Sequence, residues 1–229
     1  MRGLRGICLG ALAIAGTAEA GPWAQLQGII YARANISAER LDGEDGHRAD
    51  LYGEYGLGGG WMVTAKAESV RYDGGTQDKD AYRISARRQL WANDKGWTIG
   101  AEGAVLHGTT LAGVFGCLGT GGEARLSAGR SGVYKGQNYY FFADAAWIHQ
   151  EGGCDRQRFE FGYGTDLGAN FFSTQQLWLE YGRQSADSIK TETQIGYHFP
   201  AADVSVGYRE ELGGEFDEKA VLLAVTVRR

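Results

Sequence analysis

From Gln25 almost to the C-terminal Arg229, apolar or aromatic residues alternate with polar or charged ones at a period of two, in stretches of about ten residues. Successive side chains of an extended strand point to opposite faces, so this pattern demands strands with one apolar and one polar face. Between Tyr139 and Trp147 the odd positions are Tyr139, Phe141, Ala143, Ala145 and Trp147, and Asp144 is among the even ones. Ala49, Leu51, Tyr55 and Leu57 stand against Arg48, Asp50 and Glu54; Phe159, Phe161 and Tyr163 stand against Arg158, Glu160 and Asp166. Toward the end, Thr193, Ile195, Tyr197 and Phe199 oppose Glu192, Gln194 and His198, and Val204, Val206 and Tyr208 oppose Asp203, Ser205 and Arg209. The last run places Val221, Leu223, Val225 and Val227 on one face.

Twelve such segments are predicted, at 25–35, 48–57, 61–72, 80–92, 96–107, 119–129, 136–150, 155–167, 171–184, 189–199, 202–211 and 217–228. Short connections near Gly58, Asn93, Ser131, Gly168 and Pro200 alternate with longer or more polar ones near Leu41, Gly75, Thr110, Gly152, Ala186 and Gly213. From Gly21 onward the chain holds 33 glycines and only two prolines, Pro22 and Pro200, a composition of strands and tight turns. Short turns at one end and longer loops at the other are the grammar of an up-and-down antiparallel barrel. A soluble sandwich would alternate too, with its apolar face turned inward. The segments exceed the roughly 5–6 residues usual in soluble sheets and match the ~9–11 of a tilted membrane strand, which favours the apolar face outward. Tyr55 with Trp61, Trp91 with Trp97, Tyr163 with Phe171, and Tyr197 with Phe199 flank the short turns and are expected to form an aromatic girdle.

The first twenty residues read as an export leader. Arg2 and Arg5 precede an apolar stretch from Gly6 to Gly16, and Ala18-Glu19-Ala20 supplies small residues for cleavage after Ala20. The expected organisation is therefore a leader at 1–20 and one barrel domain at 21–229. The remainder carries 21 basic and 27 acidic residues, a balance unsuited to nucleic acid. No Cys/His cluster has metal-ligand spacing, and no helix is expected after Gly58-Gly59-Gly60 or Gly119-Thr120-Gly121-Gly122 to hold a phosphate, so no cofactor is expected.

With the apolar face outward, the polar face lines a lumen. The candidate lining residues are Lys66, Glu68, Arg83, Arg87, Glu102, Glu123, Arg125, Asp144, Arg158, Glu160, Glu180, Glu192 and Arg209, with Glu54 and Lys190 on the same face. Near balance of sign lets neighbours pair, because an unpaired charge is costly away from water. Cys117 enters the sixth segment and Cys154 leaves the seventh, both at the long-loop end, which suggests one disulfide; two free thiols are the alternative.

The leader, the alternating strands from Gln25 to Val227 and the aromatic girdle together resemble the bacterial outer-membrane β-barrels. The chain departs from their common aromatic ending, closing on Val227-Arg228-Arg229. The resemblance implies an outer-membrane location, contact with membrane lipid and lipopolysaccharide, delivery by the insertion machinery, and a menu that includes solute channels and a phospholipase. A small porin-like channel for ions or small hydrophilic solutes leads, in which opposed basic and acidic walls sort solutes by charge. A closed barrel acting through its loops comes second, with Asp42, Glu44, Asp45, Asp73, Asp78 and Asp80 as loop carboxylates able to meet lipopolysaccharide through divalent cations. A lipid-modifying enzyme comes third. It would need a nucleophile beside His107 or His149 on the outward face, and no serine on an adjacent strand sits at that height; Ser69 is two strands from His107.

Overall fold

The computed structural model describes residues 21–75, 78–108, 117, 119–183 and 187–229. Twelve strands form: β1 (Ile30–Leu41), β2 (Glu44–Gly58), β3 (Trp61–Tyr72), β4 (Lys79–Ala92), β5 (Trp97–Gly108), β6 (Thr120–Tyr134), β7 (Gln137–Gln150), β8 (Cys154–Gly168), β9 (Phe171–Arg183), β10 (Ser188–His198), β11 (Asp203–Gly214) and β12 (Glu218–Arg228). Each pairs antiparallel with its sequence neighbours, and β12 returns to β1, closing the barrel. Closure leaves no sheet edge, the condition for strands to cross lipid. Apolar side chains such as Leu51, Ile84, Val105, Leu126, Val206 and Val221 stand exposed on the outer wall, and the buried side chains on the inner face are mainly polar or charged. The girdle aromatics Trp61, Trp91, Trp97, Tyr163, Phe171 and Phe199 are exposed at the short-turn end, where Phe171 meets Tyr197 edge-on at 5.1 Å.

Three strands, β1, β2 and β6, differ most from the expectation. The first was expected at 25–35 and runs from Ile30 to Leu41, because Gly28 at φ +80° breaks the extended path and sends residues 21–29 inside the barrel. The second starts at Glu44 instead of residue 48. Glu39, Arg40, Glu44 and Asp45 read as a polar loop near Leu41, yet the connection is only the two residues Asp42-Gly43, both at positive φ (50° and 90°), as a tight hairpin turn requires. Likewise the short turn expected near Ser131 lies at Lys135-Gly136, at φ 50° and 81°. The connections expected near Thr110 and Ala186, and the leader, lie outside the described residues.

Interior glycines set how the lower wall packs. Phe142 lies over Gly162, Tyr140 over Gly164 and Phe172 over Gly196, each ring occupying the space that a side chain on the next strand would take. Trp23 joins Tyr140 and Phe142 from residues 21–29. At the opposite end Leu41, Val70 and Tyr72 form a small apolar cluster under Phe216.

Cys117 and Cys154 are joined, with Cα atoms 5.8 Å apart. Beside them the buried Gln150 donates to the carbonyl oxygens of Gly108 and Gly119, both at 2.9 Å, and accepts from Arg156 at 2.7 Å. The cross-link spans 37 residues, worth about 4 kcal/mol of chain entropy. Cys154→Ser is expected to leave one alkylatable thiol, abolish any reduction-dependent gel shift and lower unfolding stability by up to about that amount, read by urea titration in micelles.

The charged lumen as candidate functional site

The inner face assembles its charges by parity: every second residue of a strand points inward, and strand stagger brings charges from different strands to one height. Lys66 and Glu68 enter from β3, Arg83 and Arg87 from β4, Glu102 from β5, and Glu123 and Arg125 from β6. Asp144 enters from β7, Arg158 and Glu160 from β8, Glu180 from β9, Glu192 from β10 and Arg209 from β11. These thirteen residues do not form one cluster.

One network lies on the β4–β8 wall. Arg87 reaches Glu102 at 2.7 Å and Glu54 at 3.6 Å; Arg83 reaches Glu102 at 2.6 Å and Glu123 at 3.0 Å. Arg125 continues the chain from Glu123 (2.8 Å) to Asp144 (3.1 Å) and Glu160 (3.2 Å). A second network spans the β1–β12 seam. Arg48 on β2 holds Glu39 and Glu68, each at 2.9 Å, and approaches Glu218 of β12 at 3.6 Å. Arg209 ties Glu218 (3.4 Å) to Glu192 (2.9 Å), and Lys190 also holds Glu218. Between the two walls Glu180 receives Arg158 at 3.1 Å and Arg156 at 3.7 Å. Arginine dominates because its planar fork presents five donors and reaches up to three carboxylates at once, as Arg48 and Arg125 do.

Several members escaped the sequence reading. Glu39 and Arg33 belong to the misplaced first strand, Glu218 and Glu211 lie at a strand boundary, and Arg156 stands one inward step from Arg158. Arg33, Arg156, Glu211 and Glu218 fall inside the expected segments, where the same parity turns them inward, and Glu39 lies two inward steps past the expected end of the first. Trp178 and Gln176 complete the wall near Lys190 and Glu192.

At mid-height the networks enclose a central chamber of about 70 Å³. Nine basic side chains and four acidic ones line it. The excess arises from length: arginine carries its charge at the tip of a long stem, so guanidinium groups reach the axis while their carboxylate partners stay near the wall. Arg33, Arg48, Arg83, Arg125, Arg158 and Arg209 all reach the chamber, whereas Glu39, Glu102, Glu123, Glu180 and Glu218 do not.

With this geometry in hand, the barrel superposes on known structures. A KdgM porin is similar with a TM-score of 0.62 at 9% identity, over 85% of this chain and 98% of that one. The fold is that of the small outer-membrane porins. A NanC porin has a TM-score of 0.61 at 13% identity, covering 85% of this chain and 98% of its own. The COG4313 outer-membrane channel from Pseudomonas putida F1 has 0.58 at 10% identity, covering 91% and 98%. No protein-family model matches the sequence, and no curated protein matches it.

On the outside of this porin-like barrel, the two outward histidines have local partners. His107 Nδ1 lies 3.1 Å from the Thr120 hydroxyl, and His149 Nδ1 lies 2.5 Å from Asp155. Four of the loop carboxylates are engaged within the protein as well: Asp45 with Arg40 at 2.7 Å, Asp80 with Arg71 at 2.8 Å, Asp78 accepting from the Tyr72 amide at 2.9 Å, and Asp42 accepting from the Asp217 amide at 2.8 Å. Among the described residues no His/Cys/Asp/Glu group is arranged to hold a metal ion.

Proposed function

We propose that the protein is a narrow outer-membrane channel for small hydrophilic solutes, with a preference for anions. The observation that carries this reading is the basic surface of a water-sized chamber at mid-height in a closed barrel. A purely structural interior gains nothing from cations turned toward the axis, since pairing is satisfied at the wall; a permeation path gains an attractive field for negative solutes. A KdgM structure in complex with disordered oligogalacturonate shows that a barrel of this shape takes a polyanion. The chamber holds only a few water molecules, so transport of anything larger requires side chains or the floor of the lumen to move.

Planar-bilayer recording of refolded protein tests the reading. Reversal potentials in a salt gradient are expected to show anion preference. Lys66 has Glu68 at 3.8 Å and borders the chamber, and Lys66→Gln is expected to reduce the anion-to-cation permeability ratio by about twofold or more without unfolding the barrel. Cation preference, or no change in this variant, would count against it.

A closed structural barrel is the second reading, favoured by the small size of the chamber. Folded protein that stays silent at all voltages would establish it. Export is proposed on the leader pattern of residues 1–20, with N-terminal sequencing of protein from outer membranes expected to begin at Gly21.

A further inference from the structure

Residues 21–29, of which 25–29 read as strand and fold as something else, run inside the short-turn end of the barrel. Gly28 donates to Gly56 of β2 at 2.9 Å, and Gln25 donates through its side chain to Glu54 of β2 at 2.5 Å. Ala24 bonds Gln89 of β4 at 3.4 Å. Pro22 lies over Gly100 of β5, and Trp23 meets Gly129 of β6 and the rings of Tyr140 and Phe142 on β7, edge-on at 6.0 and 6.4 Å. In a ring of twelve strands β7 lies opposite β1, so the segment leaves β1 and crosses the mouth to the far wall. An extended chain covers about 3.3 Å per residue, enough for these residues to span a barrel of this size.

The wall is shaped to receive it. Gly56, Gly100 and Gly129 occupy inward positions on strands that elsewhere present long side chains. A Cβ at Gly56 would fall 2.0 Å from the Leu26 carbonyl oxygen, one at Gly100 2.8 Å from that of Pro22, and one at Gly129 2.9 Å from the Trp23 ring. The segment carries no charged side chain in a lumen built of them. It lies one inward layer below the chamber, since Glu54, which it contacts, is bonded by Tyr52 and approached by Arg87 of the chamber wall. Its attachment is light beside that of any strand. It lacks a continuous ladder, and the buried indole N–H of Trp23 meets no acceptor among the described residues.

We propose that residues 21–28 form a detachable plug that closes the short-turn mouth, and that leaving its glycine seat opens the path to the chamber. The proposal rests on the channel reading. The test compares the refolded full-length barrel with Trp23→Gly, with Gly100→Leu, and with an Ala24→Cys/Gln89→Cys pair, placed where the plug already bonds the wall, bridged by a short bis-thiosulfonate reagent. Trp23→Gly and Gly100→Leu dislodge the plug from opposite sides, and each is expected to raise open probability or unit conductance about threefold or more. The bridged cysteine pair is expected to be silent and to conduct after reduction, with wild type under the same reagent and reductant as control. Heat-modifiable migration confirms folding of each variant. Conductance unchanged in both single variants, or unchanged on locking, would overturn the plug while leaving the channel standing. If every variant is silent although the cysteine pair cross-links on gels, the segment is seated as described, the channel reading has failed, and no gate is needed.

Discussion

Arg48→Met is expected to destabilise the barrel by roughly 3–5 kcal/mol, the cost of removing one partner from a buried ionic cluster. Arg48 is among the most buried side chains in the protein, and it is the bond that draws Glu39, Glu68 and Glu218 from three different strands to one point. Without it three carboxylates face one another, relieved only at their edges by Tyr72, Lys66, Lys190 and Arg209. Arg48→Lys keeps the charge but cannot bridge all three, so an intermediate loss is expected. Urea unfolding in micelles reads both, and a methionine variant within about 1 kcal/mol of wild type, the range of exposed pairs, would show that the cluster contributes no more than a surface salt bridge.

Gly162→Val is the second large effect. A Cβ at Gly162 would lie 2.0 Å from Phe142 Cε1 and 2.3 Å from Cζ. The ring is flanked by Tyr140, parallel to it with centroids 6.4 Å apart, and by Trp23, edge-on at 6.4 Å, which limits how far it can yield. Overpacking of this kind costs about 1–3 kcal/mol or more, and a lower yield of refolded barrel is expected with it. Phe142→Ala in the same chain is expected to restore folding, since it vacates the contested space. The coupling between the two substitutions should therefore be at least about 1 kcal/mol. Independent effects would mean that the glycine is kept for another reason.

The alternation of Tyr139 to Trp147 and of Val221 to Val227 divided each strand into two faces, and the length of the segments put the apolar face outward, where Trp147 and Val221 stand. Parity likewise placed Arg83, Glu102, Arg125 and Glu180 inside. It could not say which of them touch, since partners such as Arg48 and Glu218 depend on the stagger across the seam. The charged run around Asp42 hid two strand ends, because Glu39 points to Arg48 and Arg40 to Asp45, and in sequence such satisfied charges resemble a solvated loop. Residues 25–29 erred the other way: Gln25, Leu26 and Gln27 carry the period-two pattern, and the backbone of Gly28 shows the turn away from the wall. The inward rings of Tyr140 and Phe142 were visible as residues, but their role depends on Gly162 and Gly164 arriving opposite them.

The pairing of β1 with β12 sets the order in which the molecule can be made. Eleven of the twelve strand contacts are hairpins between sequence neighbours, while the seam joins residues such as Tyr31 and Arg228 across about 200 positions. Closing a loop some eight times longer than a hairpin costs roughly 2 kcal/mol more in entropy, and that contact must come late. Until then both seam strands expose unpaired backbone, and Arg48 has only part of its carboxylate shell. The last event in folding is therefore also the one that completes the ionic cluster, so the barrel gains much of its resistance to unfolding in the same step that zips it shut.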